Sequence, residues 1–175
     1  MPHVLFFILP TNPGSYAQEA GKGLVMVLIG PPGSGTTTQS ELLAERYQVA
    51  VVSGDSTLTD DALWAKLSAL DLSRGYILDG DVELRHQADS LSALVNQLKL
   101  PSLIILHLDV PDDVVRQRLA GTQKAELLEE NMAQYHREMN FIRVHYPLAD
   151  IWTVIGTRPI DEVSRTIVAL IEDRH

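Results

Sequence analysis

With 175 residues, 45% of them apolar and 21% charged, the chain has the composition of one globular domain built on a single core. Its formal charge of -9 argues against nucleic acid as a partner, because phosphate backbones demand a basic surface. The absence of cysteine excludes disulfides and thiolate metal sites, and it fits a reducing, cytoplasmic compartment.

The chain starts with "VLFFIL", Val4 to Leu9, which is apolar but too short to span a membrane, and no Lys or Arg precedes it as in a secretory signal. No membrane association is therefore expected. "PTNPGSYAQEAGKG" follows with the Pro, Gly and Ser content of a linker. These features predict an accessory extension or linker over residues 1–22 and a core domain over residues 23–175. An extra edge strand from Val4 to Leu9 is the alternative for the first segment.

From Leu24 onward, β-rich apolar runs alternate with amphipathic stretches, the pattern of a parallel sheet covered by helices on both faces. "LVMVLIG" is the first buried strand, and "TTQSELLAERY" a helix opened by a glycine loop. "VAVVSGD" is a second strand ending at Asp55. "LTDDALWAKLSAL" is a helix with Thr59 at its cap and Leu63, Leu67 and Leu70 on one stripe. "GYILDG" is a third strand, carrying Asp79, and "HQADSLSALVNQLKL" a helix stopped by Pro101. "LIILHLDV" is a fourth strand, after which Pro111 opens the helix "DDVVRQRLAG". A long helix is expected from about Ala125 to Tyr146, then the strand "DIWTVIG" and the helix "IDEVSRTIVALIED". Ligands of such sheets bind at the carboxyl ends of the strands, where Gly30, Asp55, Asp79 and Asp109 all fall.

The glycine loop, "GPPGSGTTTQ", is almost a phosphate-binding loop. Its frame Gly-x-x-x-x-Gly runs from Gly30 to Gly35 and asks for a lysine, then a serine or threonine. Thr37 meets the second requirement, but Thr36 stands where the lysine belongs. The spacing of Gly30, Gly33 and Gly35 still suits backbone N–H groups to an anion, aided by the helix dipole. The other reading is a tight strand-to-helix turn and nothing more.

Taken in order, these stretches resemble the adenylate kinases and related nucleoside monophosphate kinases, from about Leu24 to Asp173. "GPPGSGTTTQ" is similar to that family's GxPGxGKGTQ, "SGD" to its TGD, and "GYILDG" with "QAD" to its LDGFPR and QAD. "LDVPDDVVRQRLAG", "YHREMNFIRVHY" and "VIGTRPIDEV" follow in the family's order. The resemblance implies an α/β P-loop kinase core with a five-stranded parallel sheet flanked by helices on both faces. It also implies ATP and Mg as cofactors and ATP or ADP as ligands. No protein partner can be named from these residues.

The departures bear on activity. Besides the loop lysine, the resemblance places Glu83, Thr122 and Asn131 where the family has phosphate-contacting arginines, with Leu58 or a neighbour at another such position. Asp81 and Glu83 add carboxylates beside the would-be phosphates, unless they form only a solvated turn. The family's monophosphate-binding insertion after TGD is missing, and "TQKAE" replaces its lid. An open, shallow cleft is therefore expected above Gly30–Thr37, with a single helix, around Leu58 to Leu70, between Ser53 and Asp79.

The residues expected to contact nucleotide are Gly30, Gly33, Ser34, Gly35, Thr36, Thr37, Thr38 and Arg118, the last matching the family arginine that lies against the base. A surface salt bridge to Asp112, Asp113 or Glu126 is the competing reading of Arg118. Thr37, Asp79 and Asp55 are the candidates to hold Mg through its waters, against simple turn and strand-end roles. Lys124, in the shortened lid, and Arg118 are the only candidates to replace the loop lysine in catalysis. Gln87 matches an adenine contact of the family, but without an enclosing domain it is expected to face solvent. The six histidines show no metal-ligand spacing, and His107, inside an apolar strand, reads as a satisfied core residue. Together these point to a degenerate relative, a pseudoenzyme with weak or no nucleotide binding. The alternatives are an active small nucleotide kinase using Lys124 or Arg118, and a protein-interaction module.

Overall fold

The computed structural model describes residues 24–54, 60–80, 103–145 and 151–173. The N-terminal extension, the helix expected over "HQADSLSALVNQLKL", and Asp55, Leu58, Thr59, Asp81, Glu83, Gln87, Pro101, Tyr146 and His175 lie outside these residues, as do the side chains of Trp64 and His145.

Leu24–Ile29 (β1) is apolar at every position, and its first five residues are buried. A strand apolar on both faces belongs in the middle of a parallel sheet, and there it lies. Ala50–Gly54 (β2), Gly75–Gly80 (β3), Ile104–Asp109 (β4) and Ile151–Ile155 (β5) complete a sheet ordered β2-β3-β1-β4-β5. Every pairing is parallel.

Alternate residues of β1 feed two cores. Val25 and Val27 join Leu78, Ile105, Leu63 and Leu67 of Asp60–Ser68 (α2), and Met139 and Ile142 of Leu128–His145 (α4). Met26 and Leu28 join Leu106 and Leu108, Leu43 of Thr36–Tyr47 (α1), and Val163, Ile167 and Ile171 of Ile160–Asp173 (α5). Helices thus cover both faces. A third, smaller cluster joins Val115 and Leu119 of Asp112–Leu119 (α3) to Leu128 and Met132 of α4.

Two local expectations are corrected. Leu70 is 39% exposed, because α2 ends at Ser68 and the Ala69 and Leu70 N–H groups bond three residues back, to Lys66 and Leu67. That tighter winding turns Leu70 off the helical stripe, and Leu72 is buried in the core instead. The long helix begins at Leu128, not Ala125, since Gly121 takes a left-handed φ of 75° and a 3-10 turn over Gln123–Ala125 comes first.

In the sheet register, Ser53 of β2 lies beside Asp79 of β3, and Asp79 beside Leu28 of β1. Ile29 lies beside His107, and Asp109 beside Ile155. The carboxyl ends of the strands therefore meet at the edge where the Gly30–Gly35 loop leaves β1.

Candidate functional site

Between β1 and α1 the chain makes a tight loop, in which the Ser34 N–H donates to the Pro31 carbonyl at 3.0 Å. Gly33 and Gly35 carry φ of 71° and 100°, where side-chain-bearing residues are strained. A Cβ on Gly30 would stand 2.4 Å from Ser34 Oγ, so the loop closes directly over Gly30.

Gly35 is the N-cap of α1 and receives no side-chain cap. Its carbonyl accepts the Gln39 N–H at 3.0 Å. The N–H groups of Thr36, Thr37 and Thr38 open the helix, and helix geometry leaves such groups without intrahelical acceptors. They form the positive end of the helix dipole. Thr36 is half-buried, and Thr37 and Thr38 are exposed. A Cβ on Gly35 would meet nothing within 4 Å, so that side of the loop is open among the described residues. At position 36 the loop offers one neutral hydroxyl in place of an ammonium.

Two buried polar atoms at this edge have no partner among the described residues. Ser34 is 6% exposed and Asp79 3% exposed, and neither Ser34 Oγ nor Asp79 Oδ1 is hydrogen-bonded to a described residue. Buried polar atoms are normally satisfied, so both are suited to a polar ligand or a hydrated ion. Among the described residues no three His, Asp or Glu side chains cluster as metal ligands. Any Mg here would be held through water by Thr37 and Asp79, not by a cage of carboxylates. Asp55, the third candidate, lies outside the described residues.

Arg118 does not make the surface salt bridge that was its competing reading. Its Nη1 donates to the Gly33 carbonyl at 3.3 Å and its Nη2 to the Gly156 carbonyl at 3.0 Å. Helical spacing explains the difference from Arg116, which projects elsewhere and forms a two-pronged pair with Glu129 at 2.8 and 3.1 Å. Lys124 is exposed on the 3-10 turn, with no hydrogen bond or ion pair to any described residue. Thr122 bonds its hydroxyl to the Leu119 carbonyl at 2.8 Å and finishes α3.

Two features escaped the reading of the chain. Gln39 is buried on α1 and donates from Nε2 to the Ile160 carbonyl at 3.0 Å, tying α1 to the start of α5. The Gly156 N–H donates to the Asp109 carbonyl at 2.8 Å. A polar residue one turn into a helix gives no periodic sign of such a tie. His107 behaves as expected of a core histidine, 3% exposed, with its Nε2 2.7 Å from the Tyr135 hydroxyl. Burial pushes the His107 pKa down, with Asp109 opposing and Arg143 adding to the shift, and burial pushes the Tyr135 hydroxyl up to about 12.

The chain is 30% identical over 183 aligned positions to an adenylate kinase of Xylella fastidiosa, a match taking in 83% of this chain and 98% of that protein. It belongs to the adenylate kinase family. An adenylate kinase of Xanthomonas oryzae is 31% identical over 134 positions, 61% of this chain and 72% of that protein. One from Methanothrix thermoacetophila is 32% identical over 124 positions, 55% of this chain and 58% of the relative. No protein-family model matches the chain. Membership agrees with the parallel sheet and its β2-β3-β1-β4-β5 order. No described helix is long and apolar enough to cross a membrane.

Proposed function

We propose that this adenylate kinase-family core is a pseudoenzyme whose loop holds the phosphates of ATP or ADP weakly and does not transfer a phosphoryl group. The observation that carries the reading is Thr36 in place of the loop lysine. Phosphoryl transfer is catalysed by positioning and electrostatics, and losing one preorganised group of this kind costs on the order of 10²- to 10³-fold. By the family resemblance, Glu83, Thr122 and Asn131 replace further arginines. Only α2 is described between β2 and β3, where the family resemblance calls for a monophosphate-binding insertion. Weak binding is supported by the first-turn N–H donors and by Ser34 Oγ, which has no partner among the described residues. Mg, which Thr37 and Asp79 would hold through its waters, would supply charge neutralisation.

The test is ATP + AMP ⇌ 2 ADP interconversion by the purified protein. No activity above background is expected, and turnover of about 1 per second, within the ordinary enzyme range, defeats the reading. One contact favours the active-kinase alternative: Arg118 is a cation that touches the loop, through Gly33. If turnover is found and Arg118→Ala abolishes it, the relocated-cation enzyme replaces the pseudoenzyme.

A further inference from the structure

A cradle of N–H groups binds an anion only if the loop's carbonyls point away from it, and each carbonyl turned aside needs a donor elsewhere. In this loop, three alternate carbonyls have such donors. Pro31 is served by the Ser34 N–H and Gly35 by the Gln39 N–H. Gly33, the left-handed residue between them, is served by the Arg118 side chain.

Arg118 reaches Gly33 from α3, and the next residue of α3 adds a second support. A Cβ on Gly33 would lie 3.1 Å from Leu119 Cδ2, so Gly33 packs on the Leu119 side chain while its carbonyl meets the Arg118 fork. The other prong holds Gly156, whose N–H is already fixed to Asp109 at the end of β4. The guanidinium thus joins the loop to the turn after β5, and its planar fork suits two divergent carbonyls.

We propose that Arg118 is a positioning residue, which preforms the phosphate cradle by fixing the Gly33 carbonyl outward against α3 and Gly156. This rests on the loop being a phosphate site. It assigns Arg118 a role separate from lying against a base or from acting as a counter-charge at the phosphates.

Pyrophosphate separates these roles, since it has phosphates and no base. In ligand-free protein, Arg118→Ala is expected to shift and broaden the backbone amide resonances of Gly33, Ser34 and Gly35, while those of Val27 and Ile105 stay in place and show the fold intact. Pyrophosphate affinity should fall about tenfold, the scale of one lost hydrogen bond to a charged group. Arg118→Lys keeps the charge and loses the fork, so it should bind as poorly as the alanine variant. Arg116→Ala, which removes only the pair with Glu129, should match wild type. Unchanged loop resonances in Arg118→Ala overturn the proposal, as does pyrophosphate binding by Arg118→Lys equal to wild type, which would make charge alone sufficient. Failure of wild type to bind either pyrophosphate or ADP defeats the phosphate-site reading, and the ligand-free resonances still decide the role of Arg118.

Discussion

Position 36 carries a neutral threonine. Restoring an ammonium there should find phosphate, because Gly33 and Gly35 keep the left-handed geometry of the loop. Thr36→Lys is therefore expected to tighten ADP and ATP binding, read by calorimetric titration, while transfer stays at background. A lysine variant that binds no more tightly than wild type would reduce the loop to a structural turn. His107 allows a second expectation at this scale. Its folded-state pKa is depressed by burial, so the folded protein disfavours the proton that the unfolded chain takes up near pH 6.5. Stability from the neutral imidazole is complete above that pH and is lost as pH falls below it. Urea unfolding of wild type and His107→Gln, which keeps a hydrogen-bonding side chain facing Tyr135, should give curves that diverge in slope just below pH 6.5. Parallel curves through that window would rule this account out.

Among the elements, α5 shows how a sequence pattern becomes packing. Val163, Ile167 and Ile171 recur every four residues and are the buried residues of the helix. Ile167 is fully buried in the cluster with Met26, Leu28 and Leu106. Ile167→Ala should cost about 2–5 kcal/mol, the range for truncating a core aliphatic residue, measured as a lowered urea midpoint at constant m-value. A cost below about 0.5 kcal/mol, usual for surface sites, would mean that α5 does not seal that face. The bounds of α5 were legible because its start at Ile160 follows Pro159 and its apolar period is unbroken. The end of α2 and the start of α4 were less legible. Both pass through tight turns, and local 3-10 winding carries no apolar period of its own.

For the whole molecule, a net charge of -9 and an uncharged position 36 mean that the proposed phosphate site works against its surroundings. Salt screens that repulsion, so ADP affinity should hold or rise with KCl, where a lysine-built site would weaken. A steep fall of affinity with salt would point to a cationic site. Order and periodicity along the chain were enough to determine the parallel α/β class and the glycine loop at the end of β1, since strand burial, helix period and loop glycines are local properties. The family was legible only through the resemblance of its motifs. Tertiary structure alone decided where Arg118 and Gln39 go. Arg118 and Gly33 are separated by 85 positions, Gln39 and Ile160 by 121. The acceptors are backbone carbonyls, which every residue carries, so no side-chain pattern marks them in advance. They come together only because the sheet sets β1, β4 and β5 side by side and gathers their carboxyl ends at one edge.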